Sequence, residues 1–267
     1  MIRDVTLGQY FPGKSVIHRL DSRTKLIATI VYIIALFWAK SYVSYAALVL
    51  FISTVVYISK VKVRNILKGI RPLIIIISVT AMLNLFYTPG RVLVSFWVIQ
   101  ITAEGIVRAV FMVLRIVMLV VGTSVLTYTT SPMNLTDGIE SIMSPLKRLK
   151  VPVHELSMMM STALRFIPTL IEETDKIMSA QKARGADFET GNILRRAKAL
   201  LPILVPLFVS AFRRADELAI AMESRCYSGG EGRSKMRQMK YAAIDFCAFA
   251  AAAVLLATVI VIAGYGY

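Results

Sequence analysis

The sequence predicts an all-α polytopic membrane protein with about five transmembrane helices and a cytoplasmic module of long amphipathic helices. Hydrophobic residues make up 57% of the 267 residues, whereas an ordinary soluble chain has about 45–50%. The mean hydropathy is +0.66. Basic residues outnumber acidic ones by 31 to 16, and they are concentrated in a few segments between the apolar stretches. This combination indicates a membrane protein whose positive charge faces one side of the bilayer.

Five apolar segments are candidates for transmembrane helices, and several are at or below the usual length of about 20 residues. They are Leu26–Ala39, Tyr42–Ile58, Pro72–Tyr87, Ile106–Tyr128 and Tyr241–Ala263. Between the third and the fourth, Pro89-Gly90 marks a turn, and the β-branched residues of Val92–Thr102 predict either a short strand pair or a re-entrant loop. Thr102, Glu104 and Gly105 are typical of a capped helix start.

The distribution of Lys and Arg orients these helices. Five occur before the first apolar segment, five in Lys60–Arg71 and seventeen in Thr129–Lys240. The positive-inside rule therefore places the N-terminus and the long polar region in the cytoplasm and, with five spans, the C-terminus outside. The predicted divisions are a cytoplasmic amphipathic segment at residues 1–25, a four-helix membrane region at 26–128, cytoplasmic helices at 129–240 and a last transmembrane helix at 241–267. We expect Lys14, Arg19, Arg23 and Lys25 to face lipid headgroups.

Arg108 and Arg115 are seven residues apart in the fourth apolar segment, which places them on one face of a helix. We expect them to point into the protein or to extend toward the interface rather than to face lipid. The apolar segments contain no acidic residue before Asp245, near the start of the last one. A path for ions through the helices is therefore not indicated.

Several other kinds of site are not supported by the sequence. Gly8 and Gly13-Lys14-Ser15 match the spacing of a phosphate-binding loop, but the strand, the small loop residues and the soluble domain that such a loop needs are missing. The two cysteines, Cys226 and Cys247, are too few for a disulfide framework or a zinc site. We predict no metal site and no catalytic residues. We also predict no nucleic-acid partner, because membrane orientation explains the positive charge.

The polar region begins with a short amphipathic helix predicted over Leu135–Leu149 and interrupted by Pro145. It then contains a weak internal repeat of two helices that begin apolar and end charged, the second of them starting near Ala199. The first ends in Ala183-Arg184-Gly185 and the second in Ser224-Arg225-Cys226, followed by Ser228-Gly229-Gly230. Asp175 and Asp216 each precede their arginine by nine positions. Glycines after each arginine predict that each helix ends there. A single cation could simply complement a helix C-terminus, but two matched instances favour a paired docking device, since the arginine fork binds carboxylates and carbonyls.

These two motifs resemble the arginine motifs of the transmembrane T components (CbiQ/EcfT family) of energy-coupling factor (ECF) ABC transporters. The N-terminal Pro12-Gly13-Lys14-Ser15 and His18–Lys25 resemble the opening signature of that family. The resemblance extends over essentially the whole chain. Cys226 departs from the family pattern, in which a small residue such as Gly or Ala is common at this position, so the role of the arginine carries over better than that of its neighbours.

The resemblance implies a coupling subunit of a vitamin or micronutrient importer in a prokaryotic cell membrane. Its partners would be two cytoplasmic ABC-type ATPases, one docked at Arg184 and the other at Arg225, and a membrane-embedded S component that captures the substrate. Asp175 and Asp216 would be supporting charges on the coupling helices. ATP and Mg would be bound by the ATPases, so that this chain would have no cofactor of its own and no enzymatic activity.

Three other interpretations remain at this point. A permease subunit of a conventional ABC transporter would enclose its own polar substrate path. An intramembrane enzyme would need a catalytic constellation at membrane depth, and the two histidines, His18 and His154, lie in predicted cytoplasmic segments instead. An anchor for a peripheral ATPase, without transport function, would need no large membrane domain.

Overall fold

The computed structural model describes residues 10–96, 99–188, 192–229 and 239–264. The chain divides into two compact units. The first, which we call the bundle unit, contains α1 to α6, the first half of α7, and α10. The second, the long-helix unit, contains the rest of α7 with α8 and α9.

The elements of the bundle unit are mainly helices. They are α1 (Val16–Arg19), α2 (Ser22–Trp38), α3 (Tyr42–Ser59), α4 (Val63–Ile70), α5 (Ile74–Tyr87), β1 (Val92–Phe96), β2 (Ile99–Thr102), α6 (Ala103–Thr129) and α10 (Ala243–Gly264). The other elements are α7 (Pro132–Met143), α8 (Val153–Ala183) and α9 (Ile193–Glu223). The chain is therefore predominantly helical, as expected, and the segment after Pro89-Gly90 forms the antiparallel strand pair β1–β2 rather than a loop.

Within the described residues, four helical segments are long and apolar enough to cross a membrane. They are Tyr42–Ser59, Val63–Tyr87, Ala103–Thr129 and Ala243–Gly264. The Val63–Tyr87 segment includes α4, a short 3-10 turn at Arg71–Leu73 and α5, so it begins earlier than expected. The first predicted span corresponds to α2, which has 17 residues and a length of about 25 Å.

The core of the bundle unit forms where α2 and α3 pack against α6 and α10. Leu36, Leu48 and Val259 are completely buried there. The hydroxyl of Tyr32 donates to the carbonyl of Met118 at 3.1 Å. Gly122 makes this approach possible, because a Cβ at that position would lie 2.5 Å from the Tyr32 ring.

Two buried or half-buried cations bind carbonyls at helix ends in the bundle unit. The Lys25 amine donates to the Thr129 carbonyl at the end of α6, at 2.8 Å. The Arg115 guanidinium donates to the Ala39 carbonyl at 3.1 Å, just beyond α2, and to the Tyr45 hydroxyl at 2.9 Å. Arg115 thus points into the protein, as one of the two alternatives predicted. The expectation that Lys25 faces headgroups was wrong. A helix ends in carbonyls that lack a partner in the helix, and a buried carbonyl of this kind binds a buried amine in place of a lipid headgroup.

Asp21 and Asp245 join the N-terminal segment to the last helix. Asp21 caps α2 by accepting from the Arg23 amide at 2.9 Å, and the Arg23 guanidinium pairs with it at 2.8 Å. The Asp245 carboxylate, which is 2% exposed, accepts from the Asp21 amide at 2.9 Å and from the Ala242 amide at 2.8 Å. Arg23 also lies over the ring of Tyr241, 4.1 Å from its centre. Arg23 therefore does not face headgroups either, and Asp245 has a structural role.

Residues 10–15, directly before α1, fold back on the bundle. The Phe11 amide donates to the Tyr128 carbonyl at 3.0 Å, and the two rings meet edge to face. Ser15 and His18 share a hydrogen bond of 2.7 Å, and the other ring nitrogen of His18 lies 3.0 Å from the Phe11 carbonyl. A Cβ on Gly13 would lie 2.7 Å from this ring. Gly13 thus has a packing role here, while Gly8 lies outside the described residues.

The start of α6 is capped as predicted. The Thr102 hydroxyl accepts from the Gly105 amide at 3.0 Å and donates to the Thr88 carbonyl at 2.8 Å. Glu104 accepts from the Arg91 amide at 2.7 Å. These bonds attach the β1–β2 pair to the ends of α5 and α6.

In the long-helix unit, Glu140 of α7 holds the start of α8. Its carboxylate accepts from the Ser157 hydroxyl and lies 3.3 Å from the His154 ring nitrogen. The Pro145 interruption was predicted correctly, because α7 ends at Met143 and a 3-10 turn follows at Ser144–Leu149. Helix α9 begins at Ile193, earlier than the predicted start near Ala199, since the basic residues that precede Ala199 are good helix formers.

Asp245→Asn should destabilise the protein. The substitution replaces one of two carboxylate acceptors in a buried site with an amide that cannot accept, which costs about 1–3 kcal/mol and should lower the Tm by about 3–10 °C. Thermal unfolding of the purified protein in detergent measures this. Asp216→Asn, at an exposed position on α9, removes the same charge and should leave the Tm nearly unchanged. Equal Tm values for the two variants would contradict the assigned role.

The Asp21 cap should also give a characteristic pH dependence. Burial raises the pKa of Asp21, but hydrogen bonds and charge from Arg23 outweigh it and hold this pKa below the ordinary value of 3.8. A folded-state pKa below the unfolded one contributes stability that is present above pH 3.8 and is lost as the pH falls through the lower folded-state value.

We therefore expect Asp21→Asn to have a lower Tm than the wild type at neutral pH. The difference in Tm between the two proteins should shrink as the pH falls below about 4. Unfolding of both proteins in detergent across this range is the measurement. A difference from wild type that stays constant down to the lowest pH would show that the charge of Asp21 is not what stabilises the fold.

Candidate docking site at two arginine turns

The end of α8 is a tight turn around Arg184. The helix ends at Ala183, and the Gly185 and Ala186 amides donate to the carbonyls of Lys182 and Gln181, both at 3.0 Å. Gly185 has a φ of +87°, a left-handed conformation that glycine adopts without steric cost. This pair of bonds is a Schellman motif. It ends the helix sharply and leaves Ala183, Arg184 and Gly185 exposed.

The end of α9 has the same geometry around Arg225. The Cys226 amide donates to the Glu223 carbonyl at 2.8 Å, and the Tyr227 amide donates to the Met222 carbonyl at 3.0 Å. Cys226 has a φ of +55° and so occupies the position of Gly185. Ser224, Arg225 and Cys226 are all exposed, and the Ser224 hydroxyl donates to the Ile220 carbonyl at 2.6 Å.

The two turns correspond residue by residue, with the second 41 positions after the first. In each, the arginine is the residue immediately before the left-handed one. The expectation that Ser228-Gly229-Gly230 would end the second helix was wrong in detail. The chain turns earlier, at Cys226, although a non-glycine residue in this conformation costs roughly 1–2 kcal/mol.

The two long helices meet at an ion pair. The Arg214 guanidinium donates to the Glu173 carboxylate at 2.9 Å. A hydrogen bond from Ser210 and the charge and hydrogen bond of Arg214 lower the pKa of Glu173. Arg214 is itself 41 positions after Glu173, so equivalent residues of the two halves of the repeat meet each other. Equivalent residues of two helices meet in this way when the helices are related by a local two-fold pseudosymmetry.

The helices run antiparallel, and so the two arginines lie at opposite ends of the pair. Arg225, at the end of α9, lines one cavity with Met158 and Thr162 near the start of α8. Each arginine is eleven positions beyond the ion-pair residue of its own helix. At a rise of 1.5 Å per residue, the two turns are on the order of 30 Å apart.

Both ends present exposed cations that have no acidic partner among the described residues. Within the described residues, neither the Arg184 nor the Arg225 guanidinium forms a hydrogen bond or an ion pair. Asp175 is half-buried and Asp216 is exposed, and the structure does not bring either carboxylate to its arginine. Each lies nine positions away, about 13 Å along the helix. Their supporting role stays a prediction.

Sequence reasoning missed Glu173 and Arg214. The repeat itself contained the signal, because these residues occupy equivalent positions and have opposite charges. No group of three or more potential metal ligands occurs among the residues that the structure describes.

Comparison with known proteins identifies the family. The family model for CbiQ, described as a cobalt transport protein, matches residues 13–236. The energy-coupling factor transporter transmembrane protein EcfT of Thermosediminibacter oceani is 55% identical over 95% of this chain and 96% of its own length. The protein of the same name from Clostridium kluyveri is 52% identical over 96% of each chain, and that of Bacillus subtilis is 48% identical over 92% of this chain and 93% of its own. The chain therefore belongs to the CbiQ/EcfT family and is an energy-coupling factor transporter transmembrane component.

Proposed function

We propose that this chain is the coupling scaffold of an ECF importer for a vitamin or another micronutrient. Arg184 docks one cytoplasmic ABC-type ATPase, Arg225 docks the other, and α8 and α9 transmit their ATP-driven motion to a membrane-embedded S component that binds the substrate. ATP and Mg are bound and used by the ATPases, and this chain contributes no catalytic residue. The observation that carries the proposal is the pair of matched, exposed arginine turns at opposite ends of two antiparallel helices, where no described residue neutralises either arginine.

The distance between the turns supports two separate partners. Sites on the order of 30 Å apart cannot both lie in one small pocket. Two similar subunits of an ATPase pair would each present one acidic or carbonyl-lined groove. Arginine is suited to this contact because its planar fork binds two oxygens at once.

The interior of the bundle unit supports a scaffold rather than a conventional permease with its own substrate path. Within the described residues, Lys25, Arg115 and Asp245 are occupied in holding helix ends together. A cavity of about 620 Å³ between α3 and α6 is lined mainly by apolar residues, such as Leu50, Val110 and Leu114. A second cavity, of about 300 Å³, also has mainly apolar walls. A polar substrate would find few partners along either one.

Exposed apolar surface supports a membrane partner and lipid contact. On α5, Ile75 is 75% exposed, and on α9 Phe208 is 62% and Phe212 69% exposed. Side chains at this spacing lie on one face of α9. Apolar patches of this kind mark interaction surfaces. We assign them to the S component and to the lipid of a prokaryotic cell membrane, with the N-terminus in the cytoplasm and the C-terminus outside, as the distribution of basic residues favours.

Charge reversal at the two arginines tests the docking role. The chain is expressed in membranes with its two ATPases and an S component, as wild type, Arg184→Glu, Arg225→Glu and the double variant. Loss of one close charged contact should weaken docking by about 2–5 kcal/mol. We expect each single variant to lose transport before assembly, and the double variant to lose the ATPases while it keeps the S component.

Arg213→Glu is the matched control, because Arg213 is an exposed arginine on α9 outside both turns. Co-purification of the ATPases should be unchanged in this variant. Full recovery of the ATPases with the double variant would show that the arginines are helix caps and that the function depends on the membrane helices instead.

The conformation of the turns should matter as much as their charge. Gly185→Ala places a side chain at a φ of +87°, and the strain of about 1 kcal/mol should reduce ATPase affinity by about fivefold. Cys226→Gly removes such strain and should preserve or improve affinity, whereas the β-branched Cys226→Val should weaken it. Titration of the ATPases against the protein in nanodiscs gives these affinities. Equal affinities for Cys226→Gly and Cys226→Val would contradict the role of the turn.

A further inference from the structure

The cavity at the Arg225 end contains a second arginine. About 410 Å³ of open space lies between the first half of α8 and the last turns of α9. Met158, Thr162 and Arg165 of α8 and Leu218, Met222 and Arg225 of α9 and the turn that follows it line this space. Both arginines are exposed. The rest of the lining combines the apolar side chains of Met158, Leu218 and Met222 with the hydroxyl-bearing residues Ser161, Thr162 and Tyr227.

Among the residues that the structure describes, no acid neutralises the two cations. No carboxylate lines the cavity, and within the described residues neither the Arg165 nor the Arg225 guanidinium has a hydrogen bond or an ion pair. Two like charges facing one concave space repel each other and raise the local potential. An anionic group that binds there from outside gains from both charges.

A structural role in helix capping does not explain Arg165. It lies inside α8, eighteen positions before Ala183, so that it cannot complement the end of its own helix. The position 41 residues later in the repeat is Pro206. The Arg184 end therefore lacks the equivalent cation, although the turns themselves are alike. This difference between the two ends is what a specificity determinant would produce.

We propose that Arg165 and Arg225 together bind two carboxylates of the ATPase subunit that docks at the end of α9, and that Arg165 makes this end select the ATPase with the more acidic docking surface. The inference rests on the proposed function. It assigns to Arg165, a residue inside α8, a direct contact with the partner. Bidentate arginine–carboxylate pairs supply geometry as well as charge.

Cys226 provides a native reporter of occupancy at this end, because it is exposed and lies directly beside Arg225. The full chain, with Cys247→Ala as background, is reconstituted in zwitterionic nanodiscs. Alkylation of Cys226 by a membrane-impermeant maleimide is followed while the two ATPases are added. The degree to which Cys226 is protected from alkylation, plotted against ATPase concentration, gives the affinity of the ATPase for the α9 end.

Arg165→Gln should raise the ATPase concentration needed for half-protection by about three- to tenfold, and Arg165→Lys should restore part of the loss. Arg213→Gln, the matched exposed control, should have no effect. At the other end, Ala180→Cys, at an exposed position of α8 outside the docking turn, in a Cys226→Ala, Cys247→Ala background reports occupancy of the Arg184 turn. Arg165→Gln should leave protection there unchanged.

The outcomes separate the inference from the proposed function. If Arg225→Glu does not reduce protection, the docking role itself is wrong. If Arg225→Glu abolishes protection and Arg165→Gln leaves it intact, docking stands and the two-cation site is overturned. Equal loss at both ends in Arg165→Gln would also overturn it. One further result would overturn it. If phosphatidylglycerol nanodiscs protect Cys226 without any ATPase, and only this protection, not ATPase binding, requires Arg165, then the anion bound by Arg165 is a lipid headgroup.

Discussion

The ion pair between Glu173 and Arg214 joins the two long helices at equivalent positions of the repeat, and the register of the long-helix unit follows from it. Because the partners are equivalent residues of the repeat, the pair lies at the centre of the local pseudosymmetry. Each arginine is the same number of residues, eleven, from the ion-pair residue of its own helix. A partly exposed pair of this kind contributes little stability by itself, so its main effect is to set the register between the helices.

The distribution of positive charge shows a division between the two units. In the bundle unit, Lys25 and Arg115 bind the carbonyls at the ends of neighbouring helices, where a carbonyl away from water would otherwise be costly. At the ends of α8 and α9, the structure offers Arg184 and Arg225 no such partner among its described residues. Basic residues thus hold helix ends together inside the bundle unit, whereas at the ends of α8 and α9 they are exposed.

The sequence was sufficient for the helical architecture, because long apolar runs and the arginine repeat are local patterns. It predicted the capped start of α6, the break at Pro145 and the helix end at Gly185, and it left a strand pair and a re-entrant loop as alternatives for Val92–Thr102. It did not predict partners distant in the chain. Lys25 and Thr129 are 104 positions apart, and Asp21 and Asp245 are 224 apart, so no periodicity connects them. The early turn at Cys226 was missed because a non-glycine residue rarely takes a left-handed conformation.

The equal distances from the ion pair to the two arginine turns have a mechanical consequence. If α8 and α9 rotate about the contact between Glu173 and Arg214, the two helices act as levers of equal length. Each arginine is about 16 Å from that contact along its helix, and a change of about 10° in the angle between the helices would displace each turn by about 3 Å. The displacements at the two ends would be equal in size. If two subunits bind the turns as proposed and move toward each other, their movement would change the angle between α8 and α9 rather than shift either helix along its axis.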